Sequence, residues 1–145
     1  MQENKELLVF IYENTKMGEN STKKLLSLIK DKDNKIKKVL EEQHKEYKAL
    51  HNRCKKLVKK YKLDIEDKGL FANITSNIAM KVEVMKDNSD SKIASILSRG
   101  FNMGNIDIEA KIKNYKNETD DEVLDLAKDI LKFGERQIKL LKDFL

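Results

Sequence analysis

Glu41-Glu42-Gln43-His44 sets a carboxylate and an imidazole three residues apart. On a helix that spacing puts both groups on one side, about one turn from each other. Helical bundles can hold a pair of iron or manganese ions with two such Glu-x-x-His pairs and one further Glu from each of two other helices. Carboxylates bridge the hard cations and imidazole completes each coordination sphere. Glu13 offers a further carboxylate, and Glu135 stands where a second pair would begin. Glu41, His44 and Glu135 are therefore the candidate metal ligands. The set is incomplete, because Ile138 occupies the place where Glu135 needs a histidine. Glu41 also falls roughly 120° from the centre of its helix's apolar stripe, and Asn14 takes the inward place beside Glu13. The expectation is a bundle without metal or cofactor. A degenerate two-metal bundle binding iron or manganese is the alternative.

Other chemistry has less to work with. His44 and His51 are the only histidines and Cys54 the only cysteine. Cys54 lies on an apolar stripe, where a thiol serves as a small hydrophobe. There is no Gly-rich phosphate loop, and no catalytic residue is assigned. The net charge is +5, from 30 basic and 25 acidic residues, yet only Arg53, Arg99 and Arg136 are arginine. Phosphate and base recognition favours arginine's planar fork, so weak electrostatic nucleic-acid binding is only a third reading. The densest basic cluster, Lys55, Lys56, Lys59, Lys60 and Lys62, reads as a solvated helix end favoured by the dipole.

The elements that position these residues are helices. The 145 residues include no proline, and 39% are hydrophobic against 38% charged. That predicts one soluble all-α domain over 1–145. One cysteine, no cleavable leader and no apolar run of ~20 residues point to a cytoplasmic protein without a membrane span. Apolar spacing predicts a hairpin over 3–62, a shorter helix over 66–86 and a second hairpin over 90–145. The second helix has the cleanest stripe, from Ile36 through Leu40, Gln43, Tyr47, Leu50 and Cys54 to Tyr61. Asp33 is expected to cap that helix. Thr119 and Glu122 have capping-box spacing for the last one.

Leu7, Phe10, Ile11, Asn14, Met17, Gly18 and Ser21 match Ile93, Ile96, Leu97, Gly100, Met103, Gly104 and Asp107 in spacing. One helical face is thus written twice, as expected of two related hairpins. The third helix is long enough to run back along the bundle, which yields an up-down-down-up arrangement with one long crossover. A five-helix meander is the other topology. The crossover is favoured because it also accounts for the repeat. An exposed apolar face on the crossover helix would then pair two copies as a homodimer.

The segments Tyr12 to Gly18, Gln43 to Tyr47, Met103 to Asp107 and Phe133-Gly134-Glu135 with Ile138 and Leu141 resemble those of a family of small bacterial proteins with a ferritin-like fold. The resemblance implies that fold over nearly the whole chain and brings no reaction with it. A non-catalytic interaction or scaffold protein is the expected role.

The repeat also marks a place. Four of the five glycines fall near the middle of the bundle, where they would together cost about 4 kcal/mol relative to alanine. Either close helix approach with room for the Tyr47 ring, or a small ligand cavity, would account for them. Gly18 and Gly104 are expected to face Tyr47, with Met17 and Met103 as core filler. The polar-core or ligand candidates are Asn14, Ser21, Gln43, Tyr47, His51 and Asp107. Buried polar groups need partners. Asp107 is thus expected to bond Asn14, His51 or the Tyr47 hydroxyl, and Gln43 to bond Ser21 or Glu135.

Overall fold

The computed structural model describes residues 2–65, 80 and 83–145. All regular structure among them is helical. Four long helices dominate: α1 (Gln2–Leu28), α2 (Lys37–Lys60), α3 (Asp90–Tyr115) and α4 (Asp121–Leu141), followed by a 3-10 turn at Lys142–Phe144. No helix among the described residues is long and apolar enough to cross a membrane. The helix expected over 66–86, with the apolar face expected to pair two copies, falls largely outside the described residues. Of it, Met80 and residues 83–86 are helical.

Contacts between helices fix their directions. Thr15 meets His51 and Thr22 meets His44, so α1 and α2 are antiparallel. Gln43 meets Gln137 and Arg53 meets Asp129, so α2 and α4 are antiparallel. Glu6 meets Tyr115 and Asn14 approaches Gly104, so α1 and α3 are antiparallel. Helices α1 and α4 therefore run one way and α2 and α3 the other. Asn34 at the start of α2 donates to Asp90 at the start of α3 (2.9 Å), which places both starts at one end. Residues 61–89 thus connect opposite ends of the bundle.

Two helix starts are stabilised from across the chain, where a local cap was expected. Asp33 does not cap α2, since no side chain of its own turn does so. Instead the Asp90 carboxylate accepts from the Lys35 and Ile36 amides at 3.1 and 3.4 Å. A carboxylate there also suits the positive end of the helix dipole. The capping box at α4 does not form either. Thr119 donates to the Tyr115 carbonyl, and Glu122 pairs with Lys60. Asn4, almost wholly buried, accepts from the Asp120 amide at 2.9 Å. Helix α3 keeps a local cap, where Ser89 accepts from the Lys92 amide.

Helix α2 ends on Lys62 in the left-handed region (φ 54°). Leu63 N–H bonds to Val58 O and Lys62 N–H to Lys59 O, the hydrogen-bond pair of a Schellman turn. The apolar core forms two clusters. One gathers Leu7, Ile11, Cys54, Ile108 and Leu126 near the end where α2 finishes. The other gathers Leu25, Ile36, Leu40, Ile93 and Phe133 toward the end where α2 begins, with Met80 and Val84 packed into it. The functional candidates lie between them.

Candidate functional site

Threonine and histidine side chains build the α1/α2 side of this middle zone. The Thr15 hydroxyl lies 2.8 Å from His51 Nδ1 and 2.8 Å from the Ile11 carbonyl. Seven residues on, the Thr22 hydroxyl lies 3.0 Å from His44 Nδ1 and 2.9 Å from the Gly18 carbonyl. His44 Nδ1 also lies 3.0 Å from the Glu19 carbonyl, which can only accept, so Nδ1 carries the proton. Thr22 then donates to Gly18 O and accepts from His44. The His51 ring packs at 4.7 Å against Tyr12. Neither threonine was a candidate from the sequence. The available signal was the matched spacing of two threonines and two histidines, each seven apart on facing helices.

The remaining candidates divide. Gln43 is fully buried, and its Nε2 donates to Gln137 Oε1 at 2.9 Å, not to Ser21 or Glu135. Glu135 is exposed, because the buried face of α4 runs through Ile130, Phe133, Gly134 and Gln137. Asp107 is exposed and joins no polar core. Helix α3 turns the neighbouring Ile108 into the core instead, which spares an unpaired carboxylate the expense of burial. Asn14 and Ser21 are half-buried on the α1 face toward α3. Met17 and Met103 are not core filler, being 40% and 68% exposed.

Glu41 is exposed, and His44 commits one ring nitrogen to Thr22 and Glu19. Among the described residues no three His, Cys, Asp or Glu side chains converge as a metal-ligand group.

Tyr47 stands at the centre. Its ring stacks on Phe101 (5.9 Å, 10°) and meets the edge of Phe133 (5.0 Å, 84°). Burial pushes its phenol above the ordinary range. Gly18 makes room for this ring, since a Cβ there would sit 2.2 Å from Tyr47 Cε1. Gly134 similarly accommodates Asn105, whose Oδ1 would lie 2.0 Å from an added Cβ. Gly104 does not face Tyr47. Its nearest neighbour is Asn14, whose Nδ2 would lie 3.5 Å from an added Cβ. At Gly100 an added Cβ meets nothing within 4 Å among the described residues.

Between α1 and α3, Gly18, Gly100 and Gly104 border a cavity of about 450 Å³. Met17, Met80, Ile96, Leu97 and Met103 are among its apolar lining, and Asn14, Ser21, Thr22 and Asp107 among its polar members. A second space of about 30 Å³ shares Asn14, Tyr47, Gly100, Phe101 and Gly104 with the first. It reaches Asn105 and, in the opposite layer, Ile130, Phe133 and Gly134. The arrangement can enclose an apolar body. No protein-family model matches the chain, and comparison with curated proteins and with solved structures returned no match.

Proposed function

We propose that the chain is a ferritin-like bundle that acts by binding and catalyses no reaction. The fold reading rests on the helix directions and on the connection of residues 61–89 between opposite ends, which together suit two hairpins joined by a long crossover. The functional reading rests on one observation: the cavity between α1 and α3 is largely apolar and sits in the range typical of ligand sites, about 300–1,000 Å³. Its rim carries exposed methionines, which adapt to varied partners. The hydroxyls of Thr15 and Thr22 on α1 are already engaged with His51 and His44 on α2.

Two measurements test this. Native mass spectrometry of gently purified protein is expected to show a retained mass that a Met17→Glu, Met103→Glu variant loses. Sedimentation over a range of concentrations asks whether a second copy is the partner. A protein that retains nothing and never self-associates would overturn the reading.

A further inference from the structure

Resting on the binding role just proposed, we infer that the α1/α3 cavity takes a slender, uncharged, apolar molecule that carries one hydroxyl or carbonyl group at its inner end. Three observations define this occupant.

The first is depth. The inner space of about 30 Å³ is lined partly by Tyr47 of α2 and by Ile130, Phe133 and Gly134 of α4. These residues lie in the layer behind α1 and α3. A partner helix has a diameter of about 10 Å with side chains, so one resting on α1 and α3 would not reach them. A narrow molecule entering past Gly100 and Gly104 would. The inner space exceeds the roughly 10–15 Å³ that one water needs, so it has room for a small polar group.

The second is polarity. Asn14 and Asn105 both line the inner space. Each carboxamide offers a donor and an acceptor, and neither enters a hydrogen bond among the described residues. A hydroxyl or carbonyl group answers an amide without bringing charge into the bundle.

The third is charge. Asp107 is the one carboxylate or cation lining either space among the described residues, and it is exposed. An anionic head would meet no cation inside. A cationic head would have to leave Asp107 and water behind, and burying an unpaired charge is strongly unfavourable. The uncharged head is the one the lining fits.

The glycines agree with this. A leucine at position 100 or 104 would grow into the cavity without meeting a close backbone, since an added Cβ finds open space at Gly100 and an ordinary 3.5 Å contact at Gly104. Replacement should therefore fill the site and leave the bundle intact.

The test uses the full chain with methyl-labelled methionine, because Met17, Met80 and Met103 all border the cavity. The probes are 2-acetylnaphthalene, 2-naphthoate and 2-naphthylmethylammonium. The neutral ketone is expected to give saturable shifts of those three methyl signals. Both charged probes should bind about tenfold more weakly or worse. Gly100→Leu and Gly104→Leu should each weaken the ketone by about tenfold or more, with helical circular dichroism unchanged. If one variant misfolds, the other decides. Charged probes that bind as well as the ketone would overturn the inference, as would a ketone that ignores both leucines. If no probe binds but the methyl signals move with protein concentration alone, a second copy occupies the groove. The binding role then stands and the small-molecule inference falls.

Discussion

Helix α1 meets α2 along one side and α3 along the other, and the two sides are built differently. Toward α2 it presents Leu8, Ile11, Thr15 and Thr22, all buried, with hydrogen bonds to His51 and His44 across the interface. Toward α3 it presents Asn14, Met17, Gly18 and Ser21 around a cavity of about 450 Å³. On the first side each polar atom adds specificity to a close fit. On the second, small and flexible residues leave space. The same helix thus holds the bundle together and frames its opening, and substitutions on the two sides should behave in opposite ways.

The largest effect is expected at Gly18, where the two sides meet. A methyl group there would lie 2.2 Å from Tyr47 Cε1, and that ring is held by Phe101 and Phe133. Gly18→Ala should lower the unfolding free energy by about 2–3 kcal/mol, as overpacking does in a fixed core. Urea denaturation measures it. Unchanged stability would mean that Tyr47 moves aside freely and that the closed side ends at the threonines.

The threonines come next. Thr15→Val removes the hydroxyl that meets His51, and both residues are buried. A loss of about 2 kcal/mol is expected for disturbing a buried polar pair. Thr22→Val should cost about 1 kcal/mol, because His44 is only half-buried and keeps the Glu19 carbonyl. Equal losses would show that burial does not grade the two contacts.

Much of this side was legible in the sequence and much of the other was not. The four-three stripe of α2 placed Gln43, Tyr47, Leu50 and Cys54 toward the bundle, because periodicity reports a continuous face. The Met-Gly repeat pointed to the middle of the bundle, facing Tyr47, whereas its residues border the cavity between α1 and α3. It misjudged what lies there. Matched spacing says which residues share a face, not how far a neighbouring helix stands from it, so Met17 and Met103 read as core. Asp107 was misplaced for a related reason. The buried residues Ile93, Leu97, Phe101 and Ile108 keep one face of α3, and Asp107 lies about 100° around the helix from Ile108, outside that face. Gln137 was not among the candidates, because nothing in the spacing around it marks a glutamine as buried. The caps supplied by Asp90 and Asn4 come from distant sequence, which no local capping pattern can contain.

Cys54 offers a chemical version of the comparison. Its thiol is fully buried on the closed side, 3.6 Å from the Leu8 carbonyl, and burial pushes its pKa up to about 12. At pH 8 iodoacetamide should react only through unfolding, with a rate that follows the urea curve. The folded state keeps the proton while the unfolded chain begins to release it near pH 8.5. The unfolded state then binds fewer protons, so this thiol lowers stability as pH rises from about 8.5 toward 12. Rapid full labelling under native conditions would show that the α1/α2 side opens as readily as the other.

The smallest effect has the opposite sign. Gly100 sits inside α3, exposed, with open space where a Cβ would stand among the described residues. Glycine in a helix interior is worse than alanine by up to about 1 kcal/mol. Gly100→Ala should therefore raise stability by that amount, and thermal denaturation would show it. At Gly18 glycine is kept because a ring needs the room. At Gly100 nothing in the packing of the described residues requires it, so a gain there would mean the helix gives up stability to keep the cavity mouth wide. A loss would mean that a packed neighbour holds the position, and the α3 side would then be as closed as the α2 side.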